Sequence, residues 1–120
     1  MRADVYWNLH EDCYSIRVKG KVVQHARQLI VENPTFVVQP AGRKRVLETR
    51  RKNVHAFVRG DVTVVRHQPR RPAGSVGVTY NPYESDAFVR RDDGSKIGEA
   101  SQAVLRTERG RPRIYAVERR

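Results

Sequence analysis

The chain has 120 residues, room for a single domain spanning 1–120 with one modest core. It is 38% hydrophobic and 31% charged, and its 24 Lys/Arg against 13 Asp/Glu give a net charge of +11. No apolar run approaches the ~20 residues of a membrane-spanning helix, the start Met1-Arg2-Ala3-Asp4 lacks a secretory h-region, and the lone Cys13 excludes an internal disulfide, so a cytoplasmic protein that does not enter membranes is expected.

Val5-Tyr6-Trp7-Asn8-Leu9 reads as a first strand and His10-Glu11-Asp12 as a polar turn. Cys13 to Val18 alternates with period two, and Lys19-Gly20 signals a tight turn into a third strand from Lys21. Residues 25–33 read as strand or as a short helix stopped by Asn33-Pro34, with the β-branched content favouring strand. Thr35 to Val38 is a clearer strand, ended by Pro40.

Pro40 to Lys52 is the best helix candidate. Pro suits a helix start, and Arg, Lys, Leu and Glu are good helix formers, so a basic helix is expected over about 41–52. Val54 to Gly60 follows as a strand, and Asp61 to Val65 continues it or pairs with it after a turn or bulge at Gly60-Asp61. Residues 67–75 form a loop rich in Pro and Gly. Short strands are expected at Val76–Tyr80 and Ala87–Arg90, with a turn at Asn81-Pro82-Tyr83 and another at Asp92-Asp93-Gly94. Ala103-Val104-Leu105 and Ile114 to Val117 read as a last pair of strands joined around Glu108-Arg109-Gly110. Trp7, Tyr14, Phe36, Phe57 and Phe88 are expected in the core. The expected class is α+β: a small, mainly antiparallel β domain with one basic helix.

The charge is unevenly spread. Residues 1–40 hold five Lys/Arg and four Asp/Glu, residues 41–72 hold ten and two, and residues 73–120 hold nine and seven. Such a local excess destabilises the fold by self-repulsion, a cost an anionic partner relieves. Arg43, Lys44, Arg45, Arg50, Arg51 and Lys52 lie on the expected helix, followed by Arg59, Arg66, Arg70 and Arg71 on strand and loop. The planar fork of a guanidinium suits phosphate, so these ten residues are the candidate nucleic-acid contacts. Tyr80 and Tyr83 are candidates for base stacking, or pack over the edge of the core.

Catalytic and metal patterns are weaker. His10, His25, His55 and His67 are dispersed, and His10-x-x-Cys13 lacks a second ligand pair, so no metal is expected. Gly42-Arg43-Lys44 lacks Walker spacing, and no cofactor is expected. His55 and His67 near arginines give the residue types of a metal-independent ribonuclease, but residue types do not establish geometry. Binding is favoured over catalysis.

AGRKRVLETRRKNVHAFVRGDV at 41–62, with FVVQPAGR before it and YNPYESDAFV after it, resembles a group of small uncharacterised proteins of tailed bacteriophages and prophages, over residues 5–90. The resemblance implies an accessory protein acting on host nucleic-acid machinery or against host defences. The leading expectation is therefore a small, basic, non-enzymatic nucleic-acid-binding protein, for DNA or RNA. The alternative is an inhibitor of a host protein or ribonucleoprotein, and a small nuclease comes third. A basic edge strand could also mediate a homodimer.

Overall fold

The computed structural model describes residues 1–8, 10–40, 54–79 and 90–119. Among the described residues nine strands follow in chain order: β1 (Arg2–Asn8), β2 (Cys13–Val18), β3 (Lys21–Ala26), β4 (Leu29–Pro40), β5 (Val54–Val64), β6 (Val76–Thr79), β7 (Arg90–Arg91), β8 (Ala100–Glu108) and β9 (Arg111–Glu118). They form one sheet in the order β3-β2-β1-β5-β4-β8-β9-β6-β7, and every pairing is antiparallel.

This corrects the α+β expectation: the protein is all-β, with no helix among the described residues. The segment assigned the basic helix, 41–52, lies outside the described residues. The class expectation rested on that single run, and helix propensity over a dozen residues is a weak prior. The rest of the chain carries the period-two signal of strands.

Alternation explains the faces. On β1, Ala3 and Val5 are buried in the core while Asp4 and Tyr6 face outward; on β5, Val58 and Val62 face inward and Arg59 and Asp61 outward. Tyr14, Ile16, Leu29, Val31, Leu105, Ile114 and Ala116 complete the centre of the core. Burying each large apolar side chain contributes about 1.5–3 kcal/mol. Tyr14 is almost fully buried, and its hydroxyl donates toward the carbonyls of Arg106 (2.9 Å) and Arg113 (3.4 Å). Those residues sit on β8 and β9, which are not sheet neighbours of β2, so the sheet folds over on itself with Tyr14 spanning the core.

Residues 29–33 and 35–38, read separately from sequence, form one long strand. Glu32 pairs with Asp61 and Thr35 with Arg59, which leaves Asn33 and Pro34 as a bulge opposite Gly60. Asn33 takes a left-handed φ of 49°, which Asn tolerates. Pro34 has no N–H to lose from the ladder, so the Asn-Pro pair is absorbed as a bulge rather than ending the strand. The Gly60-Asp61 irregularity is this bulge seen from β5, which runs unbroken from Val54 to Val64. The first three strands and the β8–β9 hairpin follow expectation. Trp7 and Phe36 pack against the core, whereas Phe57 is buried on the outer face beneath Arg17 and Arg59. Phe88 and most of the strand assigned to 87–90 lie outside the described residues.

Candidate nucleic-acid interface

The connection from β5 to β6 is tied down at several points. Gln28 Nε2 donates to the carbonyls of Val65 (3.1 Å) and Arg66 (3.0 Å). The Gln68 amide presents its oxygen to Arg106, at 2.6 and 3.2 Å, and its nitrogen to the Thr107 carbonyl at 3.2 Å. Further along, Arg71 donates through Nε to Ser75 Oγ (3.2 Å) and through Nη2 to the Ser75 carbonyl (3.0 Å). These bonds lay residues 65–75 against the β8–β9 hairpin.

The side chains brought together are mostly arginines around one phenol. The guanidinium carbons of Arg71, Arg106 and Arg113 lie 4.8, 5.6 and 5.5 Å from the centre of the Tyr115 ring. Cations favour the negative face of an aromatic ring, which offsets part of their mutual repulsion. Two carboxylates touch the group. Glu108 Oε2 accepts from the Tyr115 hydroxyl at 3.0 Å and pairs with Arg106 Nη2 at 3.1 Å, and Asp92 lies 3.2 Å from Arg113. Arg66, Arg70, Arg71, Arg109 and Arg111 are exposed, and none forms an ion pair among the described residues. Residues 65–75 and 105–113 together carry seven arginines and one acid, Glu108.

Of the ten cations singled out in the sequence, Arg66, Arg70 and Arg71 belong to this cluster. Arg59 stands apart on the outer face of β5, bonded to Asp4 at 2.8 Å and lying 5.4 Å from the Phe57 ring centre. Its hydrogen bond to Asp4, and then the charge of Asp4, hold the guanidinium proton more firmly than usual. Arg43, Lys44, Arg45, Arg50, Arg51 and Lys52 lie outside the described residues, as do Tyr80 and Tyr83. Their flanking strands are described: β4 and β5 are paired to their ends, with Pro40 opposite Val54 at one place. That place and the 65–75 loop are at opposite ends of β5.

Sequence reasoning missed Arg106, Arg109, Arg111 and Arg113. Averaged over residues 73–120, nine cations and seven acids look balanced. The signal was local: four arginines in RTERGRPR, residues 106–113, on a strand pair already recognised.

Among the described residues the histidines form no such constellation. His25 Nδ1 lies 3.0 Å from Ser15 Oγ, which also accepts from Asn8 Nδ2 at 3.0 Å. Asn8 Oδ1 is held by the backbone N–H groups of His10 and Glu11, capping the β1–β2 turn. Ser15 is fully buried, so the network braces three strands and offers no accessible nucleophile. No group of three or more His, Cys, Asp or Glu suited to a metal occurs among the described residues. Cys13 is half-buried, and burial first, with Glu11 adding, pushes its thiol pKa up.

Fold and site together define a small antiparallel β protein with an arginine-rich end. The chain belongs to the family of the Mycobacterium phage L5 gene 82 protein, whose family model matches residues 1–112. The gene 82 protein of Mycobacterium phage L5 is 36% identical over 116 residues, covering 88% of this chain and 90% of that protein. The resemblance to phage proteins over residues 5–90 is thereby borne out. No solved structure matches the chain.

Proposed function

We propose that this phage-family protein binds nucleic acid without catalysis, through electrostatic contacts to the phosphate backbone. One observation carries the reading: Arg66, Arg70 and Arg71, free of acidic partners among the described residues, lie on a tethered loop beside Arg106–Arg113. Fixed guanidiniums bind phosphate at a lower ordering cost than mobile ones. Arg43–Arg45, Arg50–Lys52 and Arg59 supply further cations to the proposed contacts.

Binding of this kind falls steeply with salt, the logarithm of the constant changing by about 0.9 per phosphate neutralised per decade of salt. Replacing Arg66 and Arg70 with Glu, or Arg50, Arg51 and Lys52 with Glu, is expected to weaken binding to labelled DNA and RNA and to flatten the salt dependence. If both variants shift the probes on a low-salt gel as the parent does, the reading fails. Capture from host lysate that persists after nuclease treatment would instead support the alternative, a docking surface for a host protein or nucleoprotein.

A further inference from the structure

We propose that Arg71, Arg106 and Arg113 around Tyr115 form a binding site for a single phosphate group, with the Glu108 carboxylate holding its place in the free protein. Each guanidinium has five N–H donors. Arg71 uses Nε and Nη2 on Ser75 and has no carboxylate partner among the described residues. Arg113 meets Asp92 through Nη2, and Arg106 meets Glu108 and Gln68. Donors therefore remain on all three.

Glu108 shows what the site accepts. Its Oε2 takes a hydrogen bond from the Tyr115 hydroxyl and forms an ion pair with Arg106, an anionic oxygen seated between a phenol and a guanidinium. A phosphate oxygen has the same charge and acceptor capacity, and its tetrahedral neighbours reach donors a carboxylate cannot. Glu108 lies at the end of β8, next to the Arg109-Gly110 turn, with about a third of its side chain exposed. It can therefore swing into water as the anion enters. The ring positions are held from below. Tyr115 is buried between β6 and β8, paired with Gly77 and Val104. A Cβ at Gly77 would meet Asp92 at 2.3 Å and Arg113 at 3.3 Å, so that ion pair lies directly over the glycine.

The site lies on the proposed nucleic-acid surface and rests on that reading only for what carries the phosphate, a nucleic-acid backbone or the free anion. The test is an NMR titration of the intact protein with inorganic phosphate at constant ionic strength, following the Arg Nε–H resonances. A parallel arm uses a short single-stranded oligonucleotide. Phosphate should shift Arg71, Arg106 and Arg113 and leave Arg59 in place. Glu108→Gln, which keeps the shape and removes the competing charge, should tighten phosphate binding by about tenfold, the equivalent of one competing charged contact. Glu99→Gln supplies the same change in net charge elsewhere and should leave binding unchanged. The proposal is overturned if phosphate leaves the three resonances unmoved, or if the two variants behave alike. Oligonucleotide binding that bypasses these arginines would overturn the site while sparing the proposed function. A response to phosphate but not to oligonucleotide would retain the site and defeat the nucleic-acid reading.

Discussion

Gly60 tests the account of the fold most directly. It lies opposite the Asn33-Pro34 bulge, and its own φ is not in the left-handed region, so replacing it with alanine carries no backbone penalty of that kind. The penalty is steric. A Cβ there would stand 2.6 Å from Val31 Cγ1, 2.7 Å from the Glu32 carbonyl oxygen and 3.2 Å from the Asn33 carbonyl oxygen. Two of these atoms are backbone of the neighbouring strand, and Val31 is fully buried, so none can yield without moving the central β4–β5 pair. Overpacking typically costs about 1–3 kcal/mol, and Gly60→Ala belongs near ~3. At about 4 °C per kcal/mol for a domain of this size, the melting temperature should fall by roughly 12 °C. The control is Gly98→Ala, whose Cβ would meet only Glu118 Oε2, at 3.5 Å, and whose φ is unremarkable. It should change stability by less than ~1 kcal/mol. Thermal unfolding followed by circular dichroism measures both. If Gly60→Ala melts with the parent, the bulge does not make the close approach described here.

Two further predictions concern ionisable groups. The Gly98 N–H donates to Glu118 Oε2 at 2.8 Å and Arg91 pairs with Oε1, and these contacts, the Gly98 bond first, lower the Glu118 pKa. A carboxyl depressed on folding adds stability above its unfolded value, about 4.3, and loses it as pH falls through the folded value. Glu118→Gln should thus be less stable than the parent at pH 7, with the gap closing in urea titrations below about pH 4; a gap independent of pH would refute the assignment. The raised Cys13 thiol predicts slow labelling by a disulfide reagent at pH 7, faster in Glu11→Gln. Labelling as fast as that of a free model thiol would contradict the burial argument.

Local features were legible in the sequence. Lys19-Gly20 and Arg109-Gly110 each place two successive residues at positive φ, and both turns were marked by their glycine. Alternation marked β2, and short runs of strand-forming residues marked β1, β8 and β9. Lateral order was not legible, because pairing β1 with β5 and β4 with β8 depends on contacts distant in the chain. The Asn33-Pro34 pair read as a terminator because a bulge requires a partner strand, and the sequence alone does not supply one. The site divided along the same line. Arg66, Arg70 and Arg71 stood out by local density, while Arg106 and Arg113 join them only after the 65–75 loop folds onto β9.

The length of β5 leads to a last prediction. β5 has eleven residues, which at about 3.3 Å per step puts Val54 and Val64 roughly 33 Å apart. The loop bearing Arg66 and Arg70 starts beyond Val64 and is anchored at Gln28 and Thr107, away from Val54. Screening at physiological salt acts over about 8 Å, about a quarter of that span, so charges at the two ends of β5 do not act on one another. Losses from Arg50/Arg51/Lys52→Glu and from Arg66/Arg70→Glu should therefore add, to within about 0.5 kcal/mol, in fluorescence anisotropy titrations of a labelled strand of about 20 nucleotides. A contiguous patch from Arg43 to Arg71 would behave otherwise, with either change alone removing most of the binding and the second adding little. Strong non-additivity in that cycle would refute the independence of the two groups.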